Sequence, residues 1–244
     1  MIWQSGDITL ICGDSQEILP TFPENSTSSV VTDPPYGVKG GAGGQAIATK
    51  KAKYQTTQWD DTPEYILAHV VPVISILKQW GIPMAVTPGN RCLFFYPAPD
   101  DIGCFWTPAA ANVGSWGFTT FHPILYYGKD WRAGRGALPS GMQVTERAKV
   151  DGFPCPKPIK AWTWLVDKVC PPGGTVLDPF VGSGTTMVAC VQTGRKGIGI
   201  EIDPGSFEIA KKRVLDAQAQ GRLPGMEDSA PPAQLLVNVT LEGI

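Results

Sequence analysis

Gly174-Thr175-Val176-Leu177-Asp178-Pro179-Phe180-Val181-Gly182-Ser183-Gly184-Thr185-Thr186 is the stretch that decides the fold. Its first residues form an apolar run that ends in an acid, and this pattern predicts a buried strand. A tight glycine turn then leads into a helix-like stretch, Thr185–Val191. Glycines in such a turn let the backbone approach a ligand closely, and the amides after them open the helix. The stretch therefore predicts the strand, turn and helix of a nucleoside-binding site.

A second acid, Glu201, completes this site. It lies in Gly197–Asp203, which predicts another strand, and it follows Asp178 by 23 residues. At about that spacing a βαβ unit presents a carboxylate to ribose hydroxyls. A phosphate-binding P-loop is excluded because no Lys precedes Thr185, and the dinucleotide fingerprint is excluded because its third glycine is missing. An acid before the turn suits a ligand with an ammonium group, such as S-adenosylmethionine (SAM).

The run Asp33-Pro34-Pro35-Tyr36 predicts a pocket for a different ligand. It follows Ser29–Thr32, an apolar stretch typical of a short buried strand, and carboxyl ends of strands are where open α/β sheets bind ligands. Consecutive prolines fix the backbone in extended geometry, so the Pro34 carbonyl stays free to accept a hydrogen bond. Together with the Asp33 carboxylate it forms a paired acceptor for an NH2 group, and Tyr36 offers a ring for stacking. Alone, the run could equally be a turn.

Together these motifs resemble the amino-group DNA methyltransferases, which methylate adenine N6 or cytosine N4. The order is that of the permuted β group, with the DPPY tetrapeptide before the SAM loop. Cys12-Gly13-Asp14-Ser15, Lys157-Pro158 and Glu201-Ile202-Asp203 match as well, and the resemblance covers about residues 7–214. It implies a Rossmann-like α/β fold, with a mostly parallel twisted sheet and helices on both faces.

The resemblance also implies roles for individual residues. Catalysis is expected at the tetrapeptide, with Asp33 and the Pro34 carbonyl accepting from the target amine. Glu201 is expected to hold the SAM ribose, Asp14 its adenine amine, and Lys157 its methionine end. For Asp14 a helix N-cap is the alternative. The other expected cofactor-binding residues are Asp178, Phe180, Gly182, Ser183, Gly184 and Thr185.

Composition places limits on this interpretation. A chain of 244 residues can bury one substantial core, and it lacks an apolar run of the roughly 18–20 residues that a membrane span requires. The six cysteines are scattered without a Cys-x-x-Cys pair, so free thiols and no metal site are expected. We therefore expect a cytoplasmic protein, and the family resemblance implies a bacterial or phage origin.

The net charge is −2, but basic residues are concentrated in segments that could contact double-stranded DNA. Residues 37–60 predict a mobile glycine-rich basic loop, for which an ordinary surface loop is the alternative. Residues 131–156 are a candidate small target-recognition insert, within a single methyltransferase domain of residues 1–220 followed by a tail, 221–244. The expected DNA-binding residues are Lys39, Lys50, Lys51, Lys53, Arg132 and Arg135.

The target base and the partners are less constrained. Family members that act on cytosine N4 tend to have Ser where this chain has Asp33, which favours adenine N6. Cytosine N4 methylation and a non-catalytic protein that binds SAM or nucleic acid remain alternatives. A short insert suggests a short recognition site, a homodimer or a partner, and any restriction enzyme would be a separate chain.

Overall fold

The computed structural model describes residues 1–23, 26–38, 61–108, 113–114, 116–146, 148, 150 and 156–221. Within these residues, nine strands form one sheet in the order β1-β2-β11-β10-β3-β4-β8-β5-β9, and β6 pairs with β7 in a small hairpin. The strands are β1 Ile2–Ser5, β2 Ile8–Cys12, β3 Ser29–Thr32, β4 Met84–Val86, β5 Asp101–Trp106, β6 Val113–Gly114, β7 Gly117–Phe118, β8 Phe121–Tyr127, β9 Met142–Gln143, β10 Thr175–Asp178 and β11 Lys196–Glu201.

The centre of the sheet is parallel and its flanks are mixed. β2, β11, β10, β3 and β4 all run in the same direction. β1 is antiparallel to β2, β8 is antiparallel to both β4 and β5, and the short β9 is parallel to β5. The central strands are buried on both faces, which explains why β3 and β10 read as continuous apolar runs in the sequence.

Helices cover both faces of the sheet, as the α/β prediction requires. They are α1 Ser15–Ile18, α2 Pro63–Tyr65, α3 Val71–Gln79, α4 Ile159–Val169, α5 Thr185–Thr193 and α6 Pro204–Gln220. Residues of α4, α5 and α6 form one apolar cluster with Leu10, Val31 and Val176 of the sheet. Residues of α3 and the turn before it form the second cluster with Val30 and Leu177. The predicted fold class is therefore confirmed.

Pro72 distorts the helical segment over 62–79, as its sequence predicts. A π-helical turn, Ile66–Val70, separates α2 from α3, and the Val71 amide reaches back to the Ile66 carbonyl. Proline has no N–H, so the Ala68 carbonyl loses the partner that a regular helix would give it. Gln16 donates to that carbonyl instead, at 3.2 Å.

The apolar run over 91–96 predicts a strand, which is wrong, and the strands β1, β5, β6, β7 and β9 were not predicted. The segment 91–96 was expected to be a strand but contains a 3₁₀ turn, Leu93–Phe95, in which the Phe94 side chain is 92% exposed. The apolar run had suggested a strand, but its central residue buries almost nothing. The true strand is β5, in which Gly103 and Phe105 alternate with more exposed residues. Its glycine and cysteine are weak strand signals, and it was overlooked for that reason.

The strand order brings the two sequence motifs together. β3 pairs directly with β10, with Ser29 opposite Val176 and Val30 opposite Leu177. The two motifs predict that Asp33 and Asp178 end adjacent strands, and this is confirmed, since Asp33 directly follows β3 and Asp178 is the last residue of β10. Both lie at the carboxyl edge of the sheet, where open α/β sheets form their binding crevices.

Candidate active site

The Asp33 carboxylate is held by three donors from three parts of the chain. Tyr36 Oη and Thr87 Oγ1 each donate to Oδ1 at 2.5 Å. Lys157 Nζ lies 2.7 Å from Oδ2 in a partly buried ion pair. Thr87 comes directly after β4, the parallel neighbour of β3, so this hydroxyl is placed by the same strand-end geometry as Asp33. The carboxylate thus has a fixed orientation at the sheet edge.

Lys157 lies closer to Asp33 and Tyr36 than the sequence had suggested. Its ammonium donates to Tyr36 Oη at 2.6 Å and lies 4.4 Å from the centre of the Tyr36 ring. Burial opposes the charge, but Asp33 and Tyr36 together outweigh this, and the pKa of Lys157 is raised. Burial and Asp33 also raise the pKa of Tyr36, so its hydroxyl stays a neutral donor.

Asp61 fixes the backbone that follows Tyr36. The Gly37 amide donates to Asp61 Oδ1 at 2.5 Å. Burial raises the pKa of Asp61, while hydrogen bonds from the amides of Gly37, Val38 and Tyr36 act in the opposite direction. Gly37 has φ of 67°, a conformation that suits glycine, so the chain turns sharply here. The carboxylate therefore anchors the end of the tetrapeptide to residues that precede α2.

Asp178 connects the two motifs. Its side chain is 2% exposed. It accepts from Thr32 Oγ1 at 2.6 Å, Thr186 Oγ1 at 2.5 Å and the Phe180 amide at 3.0 Å. Burial raises the pKa of Asp178 to about 6, an effect partly offset by these hydrogen bonds. The carboxylate thus links the end of β3 to the turn after β10 and to the first turn of α5.

Glu201 supports the glycine turn from the next strand. Its Oε2 accepts from the Gly182 amide at 2.8 Å and its Oε1 from the Asp203 amide at 2.9 Å. The side chain is 7% exposed, and burial raises the pKa of Glu201 to about 7. A carboxylate has about four acceptor positions, so each oxygen keeps one for a further donor. Two adjacent ribose hydroxyls are donors that match this remaining capacity.

Arg213 of α6 holds the glycine turn from behind. Its NH1 group donates to the Ser183 carbonyl at 2.6 Å, to Ser183 Oγ at 2.8 Å and to Thr185 Oγ1 at 3.1 Å. The side chains of Ser183 and Thr185 are buried and point to this arginine. Gly182 and Gly184 have φ of 51° and 81°, so the turn needs glycine at both positions. The Ser183 and Thr185 side chains are therefore used within the protein.

Asp14 lies after the end of β2, the strand that pairs with β11 on the side away from β10. It caps α1, since its Oδ1 accepts from the Gln16 amide at 2.8 Å, and the N-cap alternative is thus confirmed. Burial raises the pKa of Tyr65, and the charges of Asp14 and Glu201 add to this effect. Tyr65, Asp14 and Glu201 therefore border one region, with a half-exposed aromatic ring beside two carboxylates.

These residues fit the cofactor that the sequence predicts. Glu201 has free acceptor positions for ribose, Tyr65 stacks on His69 in the region beside Asp14 and Glu201, and Gly182 of the turn is partly exposed. Asp178 supplies negative charge beneath that turn, although its oxygens already serve the protein's own hydroxyls. Phe180 packs against the second apolar cluster and lies between Asp178 and the turn.

The predicted DNA-binding residues are only partly described. Lys39, Lys50, Lys51 and Lys53 lie outside the described residues. Arg135 is exposed. Arg132 is not free for a phosphate in this arrangement, because its NH2 group is paired with Asp167 at 2.6 Å and its guanidinium stacks on Trp131.

Four supporting residues were missed by sequence reasoning: Thr32, Asp61, Thr87 and Arg213. The signal for Thr32 and Thr87 was available, since both are polar residues at the ends of apolar strands. Asp61 gave no signal, because it contacts the tetrapeptide across a gap of 24 residues. The sequence places Arg213 on the polar face of a predicted helix beside Lys211 and Lys212, whereas its side chain contacts the glycine turn.

Among the described residues, no helix is long and apolar enough to cross a bilayer.

The comparisons with known proteins agree with the motifs. Residues 97–212 match the N6_N4_Mtase family, described as DNA methylase. YubD of Escherichia coli K12 is 29% identical over 222 residues, which are 85% of this chain and 90% of that protein. The type II methyltransferase M.HpaI of Haemophilus parainfluenzae is 27% identical over 246 residues, covering 88% of this chain and 76% of that one.

Solved structures show the same fold. TTHA0409 from Thermus thermophilus, a structure complexed with S-adenosyl-L-methionine, gives a TM-score of 0.57 at 23% identity, covering 90% of this chain and 99% of that one. The PvuII DNA methyltransferase, described as cytosine-N4-specific, gives a TM-score of 0.61 at 15% identity, with 92% and 97% of the two chains covered.

Proposed function

We propose that this chain, whose residues 97–212 match the N6_N4_Mtase family of DNA methylases, methylates the N6 amine of an adenine in double-stranded DNA. The observation that carries the proposal is the geometry around Asp33. Its carboxylate is oriented by Thr87 and Tyr36 at the end of β3, next to the strand that leads into the glycine turn. An amine-binding group and a nucleoside-binding turn therefore lie side by side.

The cofactor is S-adenosylmethionine, which supplies an electrophilic methyl group on a sulfonium when bound. We assign its ribose to Glu201, its adenine to the region of Asp14 and Tyr65, and its methionine end to the turn at Gly182 and Gly184. Asp178, Phe180, Ser183 and Thr185 hold that turn in place.

The protein's own groups activate the amine. The lone pair of an exocyclic amine is delocalised into the ring, so the nitrogen is a poor nucleophile. Asp33 and the Pro34 carbonyl accept its two N–H bonds, which favours a tetrahedral nitrogen and stabilises the positive charge that develops there. Pro35 keeps these acceptors in extended backbone, and Tyr36 stacks on the base.

The target base has to leave the duplex to reach this pocket. Flipping costs a few kcal/mol, and stacking on an aromatic ring returns about 1–3 kcal/mol. Contacts to phosphates supply the remainder, and we assign these to the basic segment 37–60 and to Arg135. A single domain over residues 1–220 would place these segments beside the pocket, with 131–156 reading the recognition site.

Adenine is favoured over cytosine by the residue at position 33. Family members that act on cytosine N4 tend to have Ser there, whereas this chain has Asp33 in a network of three donors. The fold itself does not discriminate, since a cytosine-N4-specific enzyme shares it.

Methyl transfer from labelled SAM to unmethylated duplex DNA tests the proposal. The DNA is digested to nucleosides, which are separated and counted. We expect label in N6-methyladenine, and at least a hundredfold loss in Asp33→Ala because one of the two amine acceptors is removed.

Glu208→Gln is a suitable control, since Glu208 is exposed on α6 and pairs with Lys211. Label in N4-methylcytosine would retain the mechanism and refute the adenine assignment. No label in DNA, despite SAM binding, would refute the proposed substrate.

A further inference from the structure

We propose that the Lys157 ammonium occupies the amine subsite in the absence of a base and must be displaced before a base can bind. Lys157 would then be an internal competitor of the target amine, rather than a ligand of the cofactor. The inference rests on the proposed function, because it concerns entry of the base into that same pocket. Three observations support it, and each concerns a position that the amine or its ring would need.

The first observation is the occupancy of the Asp33 carboxylate. An ionised carboxylate has two acceptor positions on each oxygen. Oδ1 already accepts from two hydroxyls, those of Tyr36 and Thr87. Among the described contacts, Oδ2 has one donor, which is Lys157 Nζ at 2.7 Å. Oδ2 therefore keeps one acceptor position, next to the ammonium, and the amine must approach the carboxylate there.

The second observation is the position of the ammonium over Tyr36. Lys157 Nζ lies 4.4 Å from the ring centre, a distance at which a cation is attracted to an aromatic face. A base that stacks on Tyr36 needs that ring face. Gly89 packs against the same ring, since a Cβ at Gly89 would come within 2.7 Å of Tyr36 Cγ. A base and the ammonium thus compete for limited space around one ring.

The third observation is chemical similarity. A methylated amine carries a positive charge on nitrogen before it loses its proton, and the Lys157 ammonium is a nitrogen cation in the same acceptor site. The pKa of Lys157 is raised in spite of burial, because of Asp33 and Tyr36. Burial and the charge of Lys157 lower the pKa of His122, so that imidazole adds no competing cation nearby.

Displacement has a consequence for substrate selection. To enter the pocket, the base of a free nucleoside would have to break the ion pair of Lys157 with Asp33, its hydrogen bond to Tyr36 Oη and its cation–π contact. A base held by a DNA duplex has the phosphate contacts of the whole complex to offset that loss. The lysine therefore favours bases delivered by a bound duplex over free nucleosides.

Substitution of Lys157 in both directions tests the proposal. Lys157→Met keeps the apolar stem and removes the competing charge, so we expect KM for long unmethylated duplex DNA to fall about tenfold, equivalent to about 1.4 kcal/mol. Lys157→Arg places a planar, bidentate donor against Asp33, so KM should rise. The dissociation constant for SAM, measured by calorimetry without DNA, should stay within twofold in both variants.

Lys168→Met is the matched control. Lys168 is also a buried lysine, 3.9 Å from Asp130 and 5.2 Å from the Tyr126 ring centre, but it lies away from Asp33. Its substitution should leave KM for DNA unchanged. If Lys157→Met does not fold, Lys157→Gln carries the same expectation.

An unchanged or raised KM for DNA in Lys157→Met would overturn the proposal. Weaker SAM binding with the same KM for DNA would also overturn it and would return Lys157 to the cofactor. A wild-type protein that transfers no methyl group to DNA would refute the proposed function instead, and the two failures are thereby distinguished.

Discussion

At the scale of single residues, two carboxylates at the strand ends, those of Asp178 and Glu201, have raised pKa values. Burial raises the pKa of Asp178 to about 6 and that of Glu201 to about 7. Their values in an unfolded chain are 3.8 and 4.5. Between these limits the folded protein binds more protons than the unfolded chain. Its free energy of unfolding therefore decreases as pH rises from about 4 to about 7 through these two groups.

Glu201 should make SAM binding dependent on pH. Ribose hydroxyls donate to the ionised carboxylate, so binding favours loss of its proton. Near pH 7 we expect release of about half a proton for each SAM bound, because the free protein is about half protonated at that site. Affinity should weaken as pH falls below 7. Calorimetry in two buffers with different ionisation enthalpies measures the proton release.

Glu201→Gln should bind SAM more weakly and show no proton release, while Glu208→Gln should behave as wild type. Equal proton release in wild type and Glu201→Gln would show that another group titrates.

Thr87 is predicted to act through Asp33. Thr87→Val preserves shape and removes the hydroxyl that donates to Asp33 Oδ1. A carboxylate that is less well oriented should lower kcat about tenfold or more, with SAM affinity unchanged. Thr163→Val, which removes a buried hydroxyl bonded to Ile159 within α4, should leave kcat unchanged. Single-turnover rates with saturating DNA separate the two cases, and equal rates for both variants would refute this role.

At the scale of elements, helix α6 supports the glycine turn through Arg213. Arg213→Met keeps the stem and removes three hydrogen bonds to Ser183 and Thr185. Hydrogen bonds to charged groups contribute about 1.5–3 kcal/mol, so we expect a loss of roughly that size in the free energy of unfolding. SAM affinity should fall as well, because the turn loses its support.

Lys212→Met is the control, since Lys212 is the exposed neighbour on the same helix. Denaturant melts and SAM calorimetry on both variants give the comparison. A normal melting curve and normal SAM affinity for Arg213→Met would show that the turn holds its shape without the arginine.

An element could be predicted where the residues that determine it are neighbours in the chain. β3, β10 and α5 could be predicted because strand, turn and helix are encoded by neighbouring residues between Ser29 and Thr32 and between Gly174 and Thr186. β5 could not, because Gly103 is a weak strand residue, and what requires glycine there is the backbone of Ser140, which a side chain at this position would strike. The position of Lys157 was also hidden, since its partners Asp33 and Tyr36 are more than 120 residues away in the chain.

At the scale of the whole molecule, the strand order differs from the chain order. β10 and β11, from the last part of the described chain, lie between β2 and β3, from its first part. A fragment of residues 1–170 therefore contains β2 and β3 but lacks β10 and β11, the two strands that lie between them in the sheet. We expect this fragment to be digested by a protease about as fast as an unfolded chain, whereas the complete chain resists.

Addition of a second fragment, residues 171–244, should restore resistance if the insertion of β10 and β11 completes the sheet. Protease resistance of fragment 1–170 alone would show that its strands form a stable sheet without β10 and β11. Limited proteolysis followed by mass spectrometry measures both outcomes.

The same insertion determines when strands can pair during translation. As the ribosome releases the chain from its N-terminus, β2 and β3 emerge early, each with an unpaired edge that awaits a strand made much later. Exposed strand edges invite pairing with other chains, and slow, non-local sheets prolong that exposure. Each molecule thus passes through a vulnerable interval during its own translation, and codons or chaperones that shorten the interval should raise the yield of active protein.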